Sequence, residues 1–252
     1  VPPLAERQVV RHELKARTLD VVGVRAVAGP LVRVTLGGSD LDDFAAPGPG
    51  DHVKVLLPEG VRRDYTPAAF RPDGAHGPEL DLDFVVHGDE GPASAWASRA
   101  QPGDTLTVGG PRGSRLAPAA VGHAVLVADE SALPAARRWL EAFDGVPVTA
   151  LFFVSDPASA AYLDGESTGD ADIHWFSGAD REQRVDEGLR GIAYGDDTFV
   201  ALAGEANALI PWRRYLRREL GLPTSQVVAD GYWKRGEADR DHHAPLDPSD
   251  PD

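Results

Sequence analysis

The run Ala124-Val125-Leu126-Val127-Ala128, followed at once by Asp129-Glu130-Ser131-Ala132, changes the period of the chain. An unbroken apolar run of this length suits a strand buried on both faces. Leu133, Arg137, Leu140 and Glu141 then recur at helical spacing, and Gly145 closes the segment. Downstream, Val148 to Val154, Ile173 to Phe176, Thr198 to Ala203 and Val227 to Trp233 read as strands, with helical segments Arg181 to Arg190 and Ala206 to Leu220 between them. Strand–helix alternation with apolar strands predicts a parallel sheet covered by helices, because parallel neighbours need long crossover connections.

Upstream of Val121 the pattern is β. Leu19 to Ala28, Leu31 to Leu36 and His52 to Leu57 are short and Val-rich, and Leu80-Asp81-Leu82-Asp83-Phe84 alternates strictly, as a strand with one buried face does. Gly29-Pro30, Pro47-Gly48-Pro49-Gly50, Asp73-Gly74 and Pro102-Gly103-Asp104 mark turns, and one helical stretch, Pro92 to Arg99, interrupts the strands. Short strands with a single helix predict a closed antiparallel barrel. The expected division is an antiparallel domain over 1–118, a parallel α/β domain over 119–235, and a tail over 236–252. Glu237, Asp239, Asp241, Asp247, Asp250, Asp252 and three prolines make that tail an expected disordered segment, with His242-His243 a solvated pair.

Composition narrows the functional classes. The 252 residues are 42% apolar and 26% charged, an ordinary globular balance. Apolar runs such as Ala150 to Val154 fall far short of the ~20 residues of a membrane helix. The first residues carry no charged-then-apolar leader pattern, and the chain has no Met. With no cysteine there is no disulfide, thiolate chemistry, Fe–S ligation or cysteine-type zinc site, and no sign of export. A net charge of −15 argues against a nucleic-acid partner, whose phosphates are neutralised by Lys and Arg. Of the three lysines, Lys15, Lys54 and Lys234, the last two stand beside motifs.

The chain contains no G-x-G-x-x-G, Walker A, H-E-x-x-H or G-x-S-x-G pattern. Parallel sheets nevertheless receive ligands beyond the carboxyl ends of their strands. Asp129-Glu130-Ser131-Ala132, Ser155-Asp156 and Gly204-Glu205-Ala206-Asn207 occupy such ends, although each alone also reads as an ordinary helix cap. Arg62-Arg63-Asp64-Tyr65-Thr66-Pro67 reads either as a surface turn or as a grip. Arg63 and Tyr65 share a strand face that suits a phosphate and an adjoining ring, and Thr66 points oppositely with a hydroxyl. His87-Gly88-Asp89-Glu90-Gly91-Pro92-Ala93-Ser94 enters the helix, either as a plain capped start or as an anion cradle approached past Gly91.

Taken together, these residues resemble the siderophore-interacting protein family. The likeness rests on Arg63-x-Tyr65-Thr66, His87-Gly88-x-x-Gly91-Pro92-Ala93, Gly110-Pro111-Arg112-Gly113-Ser114, Asp129-Glu130-Ser131-Ala132-Leu133-Pro134-Ala135, Gly204-Glu205-Ala206 and Gly231-Tyr232-Trp233, in family order from about Arg17 to Arg235. The resemblance implies a ferredoxin-reductase-like flavoprotein: a six-stranded antiparallel FAD-binding barrel followed by an NAD(P)H-binding α/β domain. It also implies a cytoplasmic enzyme that reduces ferric siderophores and releases Fe(II). The family pattern R-x-Y-T-x-R departs here, since its second arginine falls on Ala68. A lost charge-assisted contact of ~1.5–3 kcal/mol implies FAD held roughly ten- to a hundredfold more weakly, unless Arg71, close in sequence, compensates.

By the same resemblance, Arg63 and the amides near Gly91 to Ser94, the stretch in which Pro92 itself has no N–H to give and Ala93 follows, hold the FAD pyrophosphate. Tyr65 packs on the flavin ring, Thr66 bonds near its reactive nitrogen, and His87 with Gly88 lines the site. Glu130, Ser131, Ala132, Gly204 and Glu205 form the nicotinamide side, with NADPH or NADH as donor, and Trp233 lies near the flavin. Lys54, Arg112, Lys234 and Arg235 match positions where the family carries charge for an anionic siderophore. A ferredoxin remains open as electron donor. A general flavin or ferric-chelate reductase, or a redox-silent flavin or siderophore carrier, remain open as alternatives.

Overall fold

The computed structural model describes residue 4 and residues 6–86, 91–237 and 244–250. His87, Gly88 and the His242-His243 pair lie outside the described residues. The chain forms two compact units, one of Val9–Leu116 with Ala158–Asp164, the other built mainly of Ala117–Pro157 and the residues from Gly165 onward.

The first unit contains β1 (Val9–Arg11), β2 (Ala16–Ala28), β3 (Leu31–Gly37), β4 (Val53–Leu56), β5 (Arg62–Tyr65), β6 (Pro67–Gly74), β7 (Gly77–Val85), α1 (Pro92–Ala97), β8 (Thr105–Gly109) and β9 (Gly113–Arg115). Seven of these strands form one antiparallel sheet in the order β5-β4-β8-β2-β3-β7-β6, while β1 pairs with β9. Strands β5 and β6 are one run of chain interrupted only at Thr66. The first half of that run pairs with β4 (Val53↔Tyr65) and the second with β7 (Pro67↔Leu82), so the two ends of the sheet meet at Thr66. Counted once, the run gives the six strands that the resemblance implies. Alternate residues Leu19, Val21, Val34, Leu36, Val53, Val55, Leu80, Leu82 and Phe84 fill the interior.

Strand β7 departs from the sequence reading. Its alternation suggested one buried face, yet Glu79, Asp81 and Asp83 on the other face are buried as well. Arginines and hydroxyls from distant sequence cover them. Arg33 donates to both oxygens of Asp83 at 2.7 Å, and the Tyr162 hydroxyl, from the 158–164 segment, donates to the same carboxylate. Thr35 donates to Asp81 at 2.7 Å, and Arg71 donates to Asp81 at 2.7 and 2.9 Å and to Glu79 at 3.0 and 3.2 Å. Burial pushes the Asp81 carboxyl upward, but the bonds from Arg71 and Thr35 outweigh it and hold it below its ordinary range. Arg71 is therefore engaged by carboxylates of β7, which compete with any role for it in place of the arginine missing at Ala68.

The second unit contains β10 (His123–Ala128), α2 (Leu133–Ala142), β11 (Val148–Phe153), β12 (Asp172–Phe176), α3 (Arg181–Gly191), β13 (Thr198–Glu205), α4 (Ala206–Arg214) and β14 (Val227–Trp233). Its five strands are all parallel in the order β12-β11-β10-β13-β14, so the order reverses between β10 and β13. Sequence reading predicted one helix from Ala206 to Leu220. Instead α4 stops at Arg214 and a π-helical turn, Tyr215–Glu219, follows, with Pro211 inside α4 removing one backbone donor from its ladder.

The tail also differs from expectation, because residues 244–250 dock on this helix. Asp247 pairs with Arg214, Asp250 pairs with Arg213 at 3.2 Å and receives Arg218 Nε at 2.8 Å, and Leu246 packs on the apolar core. Arg213, Arg214, Arg217 and Arg218 form a cationic stripe that an acidic segment with one apolar anchor can cover. No helix of the described residues is long and apolar enough to cross a membrane.

The β7 network yields a stability prediction. Asp83→Ala strands the buried Arg33 guanidinium and the Tyr162 hydroxyl, and breaking a buried pair on one side costs ~3–5 kcal/mol. Urea unfolding followed by circular dichroism should show that loss, and a change below ~1 kcal/mol, the scale of exposed pairs, would show the network contributes little.

Candidate functional site

The junction at Thr66 gathers the first set of predicted residues. Arg63 and Tyr65 lie opposite Val55 and Val53, both core residues, so their side chains share the inner face of the sheet. The Tyr65 ring packs 4.3 Å from that of Phe84, which lies 5.5 Å from Trp96 of α1. Burial pushes the Tyr65 hydroxyl well up, so the ring stays neutral. Thr66 is only 7% exposed, and no described residue bonds its hydroxyl. Ala68 is fully buried.

Gly91 holds φ +88°, a left-handed value that favours glycine, and a Cβ there would meet nothing within 4 Å, so the approach to α1 is open. By position the Ala93 amide of its first turn has no intrahelical acceptor. A guanidinium, a neutral aromatic face, an unclaimed hydroxyl and an open backbone turn are the chemistry that a flavin dinucleotide requires, and the donor set fits FAD.

The four predicted basic residues differ from one another. Lys54 sits directly across from Asp64, with Nζ 2.8 and 3.0 Å from its carboxylate oxygens, and Lys234 lies 3.1 Å from Glu237. Arg112 and Arg235 are exposed, and among the described residues neither side chain forms an ion pair. Local carboxylates thus offset both lysines, leaving the two arginines as uncompensated cations.

The second cluster lies at the carboxyl ends of the parallel strands, where the strand order reverses. Asp129 follows β10 and is 3% exposed. Its Oδ1 accepts from the Ser131 amide at 2.9 Å and the Ser131 hydroxyl at 2.5 Å. Its Oδ2 accepts from the Glu205 amide at 2.9 Å and from Trp233 Nε1 at 2.8 Å. Gly204, with φ +138°, passes so close that a Cβ would lie 2.6 Å from the Asp129 carboxyl carbon. Glu130 accepts from the Ser155 amide and hydroxyl and from the Asp156 amide. Glu205 caps α4 through the Ala208 amide at 2.8 Å and takes the Arg235 amide at 3.0 Å. Ala132 is core, whereas Trp233 is 41% exposed, so its indole is not there for packing. An open cavity of about 590 Å³ between α3 and α4 begins at Glu205, Asn207 and Arg235.

Asp129 was legible as a helix cap or as part of a ligand-receiving strand end, but not as the acceptor for Trp233. The signal for more was Trp233, whose N–H needs an acceptor at the sheet's open end.

Comparison with known proteins decides the family. A model described as siderophore-interacting protein matches residues 121–236, and one described as siderophore-interacting FAD-binding domain matches residues 59–115. The NADPH-dependent ferric-chelate reductase of Escherichia coli is 37% identical, the match covering 90% of this chain and 96% of the relative. The chain belongs to the siderophore-interacting protein family. Ferric vibriobactin reductase ViuB of Vibrio cholerae is 31% identical over 90% of this chain and 92% of its own. The crystal structure of a siderophore utilization protein from T. fusca superposes with a TM-score of 0.84 at 39% identity, covering 95% of this chain and all of that one. Within the family match, residues 59–115 hold Arg63, Tyr65, Thr66, Gly91 and Ser94, and this part is an FAD-binding domain.

Asp129 gives a pH signature. Burial pushes its carboxyl up to about 6, against the bonds from Ser131 and Trp233. Between the unfolded value near 3.9 and 6 the folded state therefore binds more protons than the unfolded chain. Its contribution is most favourable below pH 4, declines by about 3 kcal/mol at most as pH rises to 6, and is flat above. Urea unfolding at several pH values should show this decline in the wild type and not in Asp129→Asn. Parallel pH profiles for the two proteins would show that Asp129 titrates as it does when unfolded.

Proposed function

We propose that this protein is a flavin-dependent ferric-siderophore reductase, with an FAD-binding part over 1–118 and an NAD(P)H-binding part over 119–235. The carrying observation is the meeting of Arg63, Tyr65 and Thr66 at the one point where both sheet ends join, in a chain 37% identical to an NADPH-dependent ferric-chelate reductase. FAD, when bound, accepts two electrons as a hydride and delivers them singly, which is what links a nicotinamide donor to Fe(III). Arg63 supplies the fixed positive charge for the pyrophosphate, and the turn from Gly91 to Ser94 supplies amide donors from its residues other than Pro92. Tyr65 offers a ring that burial keeps uncharged, and Thr66 offers a hydroxyl with no competing partner. His87 and Gly88 belong to this site by the resemblance alone.

On the parallel part, Glu130 and Glu205 spend their carboxylates on ordering their own loops, so they shape the nicotinamide side with Ser131, Ala132 and Gly204. Trp233 adds an exposed aromatic face. Arg112 and Arg235 receive the anionic siderophore, with Lys54 and Lys234 contributing less because each has a carboxylate beside it. NADPH is the donor favoured by the relative's name, with NADH and a ferredoxin as alternatives, and the location is the cytoplasm.

The deciding experiment is anaerobic: FAD-loaded protein should bleach on addition of NADPH and recolour with a ferric siderophore. Bleaching without recolouring by any ferric chelate would leave a flavin reductase of another kind, and no bleaching with NADPH, NADH or a reduced ferredoxin would leave a carrier. Arg63→Ala should weaken FAD retention roughly ten- to a hundredfold while the β circular dichroism persists. A full flavin complement in that variant would remove Arg63 from the phosphate site. Arg235→Ala should raise KM for an anionic ferric chelate roughly fivefold at low salt, the scale of about 1 kcal/mol. Lys54→Ala should raise it less. Equal effects, or effects unchanged by salt, would refute that ranking.

A further inference from the structure

Asp129 is a buried carboxylate that ties three adjacent strands together at the open end of the parallel sheet. It follows β10, its Oδ2 takes the Glu205 amide at the end of β13, and the same oxygen takes the indole of Trp233 at the end of β14. Both Glu205 N–H and Trp233 Nε1 can only donate. Oδ1 is likewise filled by the Ser131 amide and hydroxyl. An asparagine could satisfy one side only, since its NH₂ would face donors on the other. A cap for the turn at Glu130–Ala132 needs only one acceptor, and Ser or Asn provides it without burying a charge.

The extra acceptor serves Trp233, and the close approach that Gly204 alone permits serves the same junction. A side chain that is 41% exposed gains little stability from a buried anion as its partner, so the arrangement fixes where the ring faces.

We propose that Asp129 is a positioning residue, which acts through Trp233 and the Gly204–Glu205 turn to hold the exposed indole at the angle that receives a flat redox ring. What the ring face serves rests on the reductase reading above; that Asp129 holds it does not.

The test separates the two. Trp233 emission is isolated as the difference between wild type and Trp233→Phe, and its quenching by acrylamide is measured in Asp129→Asn. Val185→Ala, a core truncation in α3, sets the level for a change that only destabilises. Asp129→Asn should move Trp233 quenching toward that of a solvated indole, and Val185→Ala should not. In FAD-loaded protein, the limiting rate of bleaching by NADPH should fall roughly tenfold in Asp129→Asn, with the apparent Kd for NADPH changing less. The Asp129→Asn/Trp233→Phe double variant should be no slower than Trp233→Phe alone.

Unchanged quenching, or losses that multiply in the double variant, would overturn the proposal. If Asp129→Asn does not fold, Asp129→Glu carries the same comparison, because it keeps both acceptors and displaces them by one methylene. A protein that bleaches with none of NADPH, NADH and a reduced ferredoxin refutes the reductase reading, and the quenching comparison still decides the role of Asp129.

Discussion

A single stretch of chain, residues 62–74, pairs with β4 by its first half and with β7 by its second. Because the two outer members of this antiparallel sheet are joined by a single residue, the sheet has to curve until its first and last strands run end to end. Thr66 is the residue at which the partner changes. Arg63 and Tyr65 lie just before it and face inward, and the bulge at Pro67–Ala69 lies just after. Side chains that elsewhere on a strand would alternate between core and water are here delivered to the mouth of a curved sheet. A cationic head and a neutral ring beside a nearly buried hydroxyl are costly to place on a flat sheet, where at least one would face the wrong medium. At a seam they are compatible.

The curvature has a second consequence on β7. With Leu80, Leu82 and Phe84 filling the interior, Glu79, Asp81 and Asp83 point outward, and the 158–164 segment covers that side through Tyr162. Three carboxylates in a buried row would repel one another and resist ionisation without cations. Arg33 and Arg71 supply the charge, and Thr35, Tyr162 and the His76 amide supply further donors. The Arg71 guanidinium is thus shared between two carboxylates, and a phosphate would have to compete with both. With Arg71 engaged on β7 and Ala68 in place of the second arginine, the proposed phosphate site rests on Arg63 and the turn at Gly91.

Elements whose cause is local were legible in the sequence. The apolar runs at Ala124–Ala128 and Val148–Phe153, the Gly and Pro punctuation, and the helix start at Pro92 each depend on neighbours a few residues away, and their boundaries agree with the structure to within a few residues. What escaped depends on partners far along the chain. Arg33 finds Asp83 fifty residues on, Tyr162 finds it from seventy-nine residues away, and Trp233 meets Asp129 across one hundred and four. Alternation along β7 reports which residues are polar, not whether something covers them. The acidic tail has a disordered composition, yet its docking depends on the arginine stripe at 213–218 and on Leu246, neither of which a count of acidic residues weighs.

The charge distribution follows the same logic of local pairing over global sum. A net charge of −15 repels anions at long range, but at physiological salt its reach is about 8 Å, so a site is governed by the charges that line it. Lys54 has a cross-strand carboxylate beside it and Lys234 one three residues on, which offset part of their charge. Arg112 and Arg235 lack such partners among the described residues. A guanidinium is also the better receiver for a planar or multidentate oxyanion, since its fork of donors binds in a fixed geometry while an ammonium acts as a point charge. Arg235 has a further advantage, because its own amide is held by Glu205, which Asp129 in turn orients through the preceding turn. The chain that aims the indole of Trp233 thus also fixes the backbone of the arginine two residues later, so an aromatic face and a fixed cation are set by the same buried carboxylate.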